Sequence, residues 1–258
     1  MNFTTITDLN IPQLQIYRHL RDNAVTKDNS FIADSPMVVN ILLKTTIEVK
    51  SILATKEYFD ENRELIEQKN IPNLYVADKN LMKEIVGHNI HHGVMMHGIR
   101  PNETSMEKLD DKIIMLDLIS KNENVGAIAR SAAGLGINSF IVPNKGPHPY
   151  GRKALRVSMG HVSKLKLHTY DDIFHTIKML QECGYKIFAA EITQDAIALP
   201  DIKVPEKWVI LMGDEAYGIS KEILDACDEV VKIEMSKDVK SLNVAVAASI
   251  LMYQFNLC

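Results

Sequence analysis

The sequence predicts an α/β protein of two domains, the second built on a mostly parallel sheet with helices on both faces. Three observations carry this expectation. From Lys112 onward, short apolar strands alternate with helical segments, the pattern of a parallel sheet covered on both sides. Pro101 to Asp111 (PNETSMEKLDD) is polar, opens with proline and lacks apolar periodicity, as a linker does. The chain has 258 residues, more than one core ordinarily fills, since domains commonly hold about 100–150. The expected division is a smaller N-terminal α/β domain at 1–100, a linker at 101–111 and a second domain at 112–258.

In the first domain, Ile11 to Arg21 carries Ile11, Leu14, Ile16 and Tyr17 at roughly helical spacing, with Pro12 suited to a first turn. Met37 to Leu43 is apolar and follows Asp34-Ser35-Pro36, a cap followed by proline, so it reads as a helix. Glu48 to Ala54 reads as a buried strand, and the charged run Lys56 to Lys69 as an exposed helix. Asn73 to Ala77 and Gly93 to His97 read as short strands.

In the second domain, strands are expected at Lys112 to Leu118, Ser139 to Val142, Lys186 to Ala190, Trp208 to Met212 and Val230 to Met235. Helices are expected at Val125 to Leu135, Tyr170 to Cys183, Gly218 to Ala226 and, closing the chain, Ser241 to Phe255. Asp171 and Asp172 suit the positive end of the second of these. No internal repeat or low-complexity tract is present.

Composition excludes more than it identifies. Hydrophobic residues make up 46% and charged residues 24%, an ordinary globular mixture. No apolar run approaches the ~20 residues of a membrane span, and MNFTTITDLN lacks the basic and apolar regions of a secretory signal. Cys183, Cys227 and Cys258 form no C-x-x-C pair and are odd in number, which points to reduced thiols in a cytoplasmic protein rather than disulfides or zinc. His88, His91, His92 and His97 match no familiar metal spacing, so no metal is expected. The net charge of −4 argues mildly against a nucleic-acid partner, but it averages over the whole surface.

The parallel α/β pattern invites a dinucleotide-binding reading, which the glycines oppose. G-x-G-x-x-G should follow a strand and open a helix, whereas Gly134-Leu135-Gly136 ends a helix and leads into a strand. No phosphate-binding G-x-x-x-x-G-K-[ST] occurs either.

Three segments hold candidate chemistry. In Asn124-Val125-Gly126-Ala127-Ile128-Ala129-Arg130, Asn124 is placed as the N-cap of a helix beginning at Val125, and Arg130 follows within two turns. In Gly213-Asp214-Glu215-Ala216-Tyr217-Gly218, an apolar strand runs into a glycine-bounded acidic turn, the place where ligands bind in open α/β sheets. In Ile233-Glu234-Met235-Ser236 and Ser241-Leu242-Asn243-Val244-Ala245-Val246-Ala247-Ala248, a strand ends and Ser241 is placed to cap a small-sided last helix, with Asn243 in its first turn. Taken singly, each also reads as an ordinary capped helix or strand-to-helix loop.

In this order and at this spacing, the segments resemble the three motifs of the SpoU-type (TrmH-like) branch of the SPOUT RNA methyltransferases: N-x-G-x-x-x-R, G-x-E-x-x-G and S-L-N-V-x-V-A. Arg156-Val157-Ser158-Met159-Gly160 resembles the family's R-x-S-x-G stretch. The resemblance implies a trefoil knot forming an S-adenosylmethionine pocket, a rare exception to the no-threading rule. It further implies a homodimer with the active site near the subunit interface and a structured RNA, tRNA or rRNA, as substrate. Gly213, Ile233, Met235 and Leu242 match cofactor-contacting positions. Arg130 matches the catalytic arginine, and Asn124, Glu215, Ser241 and Asn243 match the other active-site polar positions. The first half is similar to RNA-binding domains related to small ribosomal proteins. His92-Gly93-Val94 resembles their H-x-G-V, and Asp34-Ser35 stands where they carry Glu-Gly.

The implied reaction is methyl transfer to a ribose 2′-hydroxyl. Arginine is always protonated, so Arg130 is expected to stabilise the developing alkoxide rather than act as base. Two alternatives stay open: methylation of a base, and an RNA-binding module without catalysis.

Overall fold

The computed structural model describes residues 1–8, 11–19, 28–86 and 93–257. The chain divides into two compact units, one of Met1–Asn102 with Pro149–Ser163, the other of Glu103–His148 with Lys164–Cys258.

The first unit holds a five-stranded sheet of β1 (Thr4–Thr5), β2 (Ser30–Asp34), β3 (Glu48–Ala54), β4 (Asn73–Val76) and β5 (Val94–Ile99), in the order β1-β4-β3-β5-β2. The pairs made by β4 are parallel and those made by β5 antiparallel. Its helices are α1 (Gln15–His19), α2 (Pro36–Leu43), α3 (Lys56–Glu61), α4 (Arg63–Glu67) and α5 (Lys79–Val86). The expected helix over Ile11 to Arg21 begins as a 3-10 turn at Pro12–Leu14 and continues as α1; its end lies outside the described residues. The expected cap of α2 is not made by a side chain: Ser35 sits at φ +82° without a capping bond, and Pro36 sets the first turn. The charged run expected to be one exposed helix is two, broken at Asn62, whose Nδ2 donates to the Tyr58 carbonyl. Tyr58, Phe59 and Ile66 turn inward, so the run is amphipathic rather than solvated all round. Of the four histidines, His88, His91 and His92 lie outside the described residues; His97 shares a hydrogen bond with Ser30 Oγ (2.9 Å).

The second unit holds seven strands: β6 (Lys112–Leu116), β7 (Ser139–Pro143), β8 (Lys166–Tyr170), β9 (Lys186–Ala190), β10 (Ile197–Ala198), β11 (Trp208–Met212) and β12 (Glu229–Lys232). Their order is β10-β12-β9-β11-β6-β7-β8, and every pairing is parallel. The accompanying helices are α6 (Asn122–Gly134), α8 (Ile173–Glu182), α9 (Lys221–Ala226) and α10 (Val244–Leu257). The sheet is covered on both faces. Alternation along β11 and β9 sends Trp208 and Phe188 to one face, where both rings meet Phe255 of α10 edge-on. Val209, Leu211, Ile187 and Ala189 face the other side, in a core with Ile177 and Leu180 of α8 and Ile223 of α9. Burying a side chain the size of Phe255 stabilises by about 1.5–3 kcal/mol. The segment expected to run as a helix from Tyr170 instead ends β8 there, and α8 starts after Asp172, whose carboxylate accepts from Phe174 and His175 N–H. At the end of α6, Gly136 adopts φ +74° and Ile137 N donates to the Ala132 carbonyl, the helix stop expected of Gly134-Leu135-Gly136.

The sequence division differs from the structure at two places. Glu103 to Asp111, expected to be linker, belongs to the second unit: Thr104 N donates to the Leu167 carbonyl and Leu109 is buried. Residues 149–163, expected within the second domain, join the first. They carry α7 (Arg152–Val157); the Tyr150 ring packs 5.1 Å from that of Phe31, and Arg152 pairs with Asp34 at 3.5 Å. Neither return of the chain leaves a periodic mark in the sequence.

Candidate active site

In a parallel sheet all carboxyl ends emerge at one edge. Here Leu116, Ala190 and Met212 lie level across β6, β9 and β11. The loops that follow them, from Asp117, Glu191 and Gly213, therefore leave side by side, and Asp117 N donates to the Met212 carbonyl (2.8 Å). Burial pushes the Asp117 carboxyl up, a hydrogen bond from the Tyr170 hydroxyl lowers it and Asp214 raises it; the net shift is upward.

Glu215 is the hub of this edge. Its Oε2 accepts from the Ser120 N–H (3.1 Å) and Ser120 Oγ (3.0 Å), and its Oε1 accepts from Asn124 Nδ2. Asn124 Oδ1 in turn accepts from Asn243 Nδ2 at 3.1 Å, and Asn243 Oδ1 accepts from the N–H groups of Ala245 (2.9 Å) and Val246 (3.4 Å). Burial alone raises the Glu215 carboxyl, but donation from Asn124 and then Ser120 outweighs it, and the net shift is downward. The carboxylate is thus fixed as an acceptor, an orienting group rather than a proton donor.

This geometry corrects two capping assignments. α6 starts at Asn122, so Asn124 lies inside its first turn and is not the N-cap; its side chain is left to bridge Glu215 and Asn243. α10 starts at Val244, and Asn243 rather than Ser241 covers its first N–H groups.

Beside the cluster is a cavity of ≈ 550 Å³, within the range of about 300–1,000 Å³ usual for small-ligand sites. Gly213, Glu215, Ile233, Met235, Ser241 and Leu242 all line it. Two glycines let backbone form its wall. A Cβ on Gly213 would lie 2.5 Å from Ile219 Cγ1 and 2.8 Å from the Gly218 carbonyl carbon. Gly218 has φ +68°, and a Cβ there would meet Glu191 Oε2 at 2.2 Å. Glu191 Oε2 accepts from Ile219 N (2.9 Å) and Oε1 from Ile192 N (2.9 Å), so this side chain pins the loop after β9 to the loop after β11.

Of the nine site residues read from the sequence, eight therefore meet at this edge and cavity. Arg130 is the exception. It is exposed, and no hydrogen bond or ion pair among the described residues ties it to the cluster. Six residues beyond Asn124 on a helix of about 3.6 residues per turn, it points roughly 120° away from it. Sequence reasoning missed Ser120 and Glu191. Glu191 did leave a signal, since it directly follows an apolar strand; Ser120 left none.

The matches to known proteins follow this geometry. Residues 111–253 match the SpoU rRNA Methylase family. The chain belongs to that family. Uncharacterized tRNA/rRNA methyltransferases of Mycobacterium bovis and Mycobacterium tuberculosis are 27% identical over 260 residues, covering 96% of this chain and 90% of each relative. The fold is shared with the SpoU methyltransferase AviRb of Streptomyces viridochromogenes, solved in complex with AdoMet (TM-score 0.82, 18% identity, 96% and 97% of the two chains). It is shared equally with an AdoMet-bound rRNA methyltransferase of Sinorhizobium meliloti (TM-score 0.81, 18% identity, 98% and 97%). As a SpoU-family member the protein is an RNA methyltransferase. No described helix is long and apolar enough to cross a membrane.

Proposed function

We propose that this SpoU-family chain transfers a methyl group from S-adenosylmethionine to a ribose 2′-hydroxyl of tRNA or rRNA. The observation that carries the reading is the hydrogen-bonded chain Ser120–Glu215–Asn124–Asn243 set against a glycine-walled cavity. The cavity suits the cofactor: backbone exposed at Gly213 and Gly218, with apolar Ile233, Met235 and Leu242, accepts a flat, partly apolar ligand. When bound, S-adenosylmethionine supplies an electrophilic methyl on sulfonium, so the protein's work is to hold the hydroxyl in line with it.

Ser241 and Asn243 border the place where the ribose would sit, and Glu215 keeps their loops in register. Arg130 stabilises the alkoxide that develops as the hydroxyl proton leaves. It lies away from the cluster in its own chain, which supports a homodimer in which a second copy brings Arg130 to the cavity. The knotted threading implied by the family resemblance belongs to the same reading.

The two described thiols count against the covalent route to base methylation, which needs a cysteine thiolate at the site. Neither Cys183 nor Cys227 lines the cavity; both pack against the α8 core, and burial pushes the Cys227 thiol up to about 12.

The test is nucleoside mass spectrometry of bulk tRNA and rRNA incubated with the protein and isotopically labelled S-adenosylmethionine. A labelled 2′-O-methyl nucleoside, released from alkali as a resistant dinucleotide, is expected. A labelled base would overturn the ribose assignment, and cofactor binding without any product would favour the non-catalytic module. Arg130→Ala should lower the rate about 10²–10³-fold with cofactor affinity within about twofold of the parent. Full activity in that variant would overturn its role.

A further inference from the structure

Four loops at the carboxyl edge of the seven-stranded sheet each hold a large apolar side chain in water: Leu118 after β6, Ile192 after β9, Tyr217 after β11 and Leu242 after β12. Ile192 and Leu242 line the cavity, and a ligand there would cover them. Leu118 does not line it. Tyr217 touches it but is 93% exposed, against 57% for Tyr253, the next most exposed aromatic residue described. A ring folded over a ligand inside the cavity would be shielded on one side by the cavity wall. This one stands outside the wall and faces what arrives from solvent. Among the described residues, no hydrogen bond, ring contact or cation meets its side chain.

The backbone that carries the ring is nonetheless fixed. Asp214 Oδ1 accepts from the N–H groups of Ala216 (2.8 Å) and Tyr217 (3.0 Å), and Gly218 N donates to the Asp214 carbonyl (3.0 Å). Glu191 holds the following residue through Ile219 N. Leu118 is held in water from the neighbouring loop: it is 62% exposed and sits at φ +52°, a conformation side chains rarely adopt. Strain of this kind persists only where the surrounding structure imposes it, and it gathers at ligand sites. Ser120 comes two residues after Leu118, and Glu215 two residues before Tyr217; this is the pair whose hydrogen bonds join the two loops. An exposed apolar side chain therefore stands close along the chain on each side of that joint.

We infer that Tyr217 is the platform on which a base of the RNA stacks, with Leu118 as a second apolar contact on the neighbouring loop. The inference rests on the RNA-methyltransferase reading and adds how the nucleotide is held. On that reading the ribose sits at Ser241 and Asn243, and Asn243 is linked through Asn124 to Glu215. The base is one glycosidic bond from its ribose, which brings it among the neighbours of Glu215. Every base has a π-face, so an aromatic ring can take it without reading its identity. Stacking also adds affinity without a cation, which suits a chain of net charge −4.

The test compares Tyr217→Phe, Tyr217→Leu and Tyr217→Ala in titrations of fluorescently labelled bulk tRNA, and separately of fragmented rRNA, at several salt concentrations. Phenylalanine keeps the ring and should bind within about twofold of the parent. Alanine should bind about tenfold or more weakly, and leucine, which keeps apolar area without a π-face, should fall nearly as far. The slope of log affinity against log salt should not change in any of them, because no phosphate contact is lost. Calorimetric affinity for S-adenosylmethionine should stay within about twofold of the parent throughout. Full RNA affinity in Tyr217→Ala or Tyr217→Leu, or a Tyr217→Phe as weak as Tyr217→Ala, overturns the inference. A matching loss of cofactor affinity would give the ring to the cofactor, and a switch from dimer to monomer in sedimentation would give it to a second copy; either overturns it too. A parent protein that binds neither RNA overturns the RNA reading itself.

Discussion

Glu215 receives donors from Ser120 and Asn124, residues more than ninety positions away, and this fixes its protonation as well as its place. Its carboxyl is depressed in the folded state, so the carboxylate adds stability above the ordinary value of 4.5 and loses it as pH falls through the folded value. The melting temperature of Glu215→Gln should therefore fall below the parent's by its widest margin above the ordinary carboxylate range, and the two should converge as pH falls through the depressed folded value. A gap that widens in acid would contradict the assignment. Gly218 makes a steric demand of the same site. Alanine there combines a left-handed φ, costing about 1–2 kcal/mol, with a Cβ 2.2 Å from Glu191 Oε2. Gly218→Ala should destabilise by about 1–3 kcal/mol in denaturant unfolding and weaken S-adenosylmethionine binding about tenfold or more. Adding Glu191→Ala should recover part of the loss, because the two changes share one contact. Equal losses in the single and double variants would show that the clash is not what matters.

At the scale of elements, α10 has two faces with different work. Ala248, Leu251, Met252 and Phe255 are buried against the sheet and α6. Val246, Ile250, Tyr253 and Leu257, spaced by four, three and four residues, form an exposed apolar stripe. Water-facing helices of soluble units seldom carry such a row, and it fits the proposed contact between two copies. Val246→Glu with Tyr253→Glu should convert a dimer to a monomer in sedimentation velocity, with the melting temperature little changed. A parent that sediments as a monomer would remove the dimer from the proposal. The small residues of this helix, noticed in the sequence, find a partner inside the chain as well: Ser249 Oγ donates to Ser131 Oγ of α6 at 2.8 Å. Close approach of the two helices is what lets Asn243 reach Asn124.

For the whole molecule, what matters is the edge of the seven-stranded sheet and the distribution of charge along the chain. Because every strand of that sheet is parallel, the loops from β9, β11 and β12 open at one edge and build the cavity from segments remote in sequence, with the β6 loop beside them. Chain charge, read as an average, argued against a nucleic-acid partner. Read in order, it isolates the one long segment free of carboxylates.

The sequence by itself determined the apolar strands at Lys186–Ala190 and Trp208–Met212, the glycine stop after α6, and the three motifs that place the chain in its family. All depend on neighbours a few residues apart, and such local preferences are written in composition and period. Tertiary structure decided the rest. Whether Asn124 caps its helix or bridges to Glu215 depends on where the β11 loop emerges, which the register of β6 against β11 sets. The roles of Ser120 and Glu191, the separation of Arg130 from the cluster, and the return of 149–163 to the first unit are likewise contacts between distant segments. A hydrogen bond spanning ninety residues leaves no period in the chain, so packing alone could choose it.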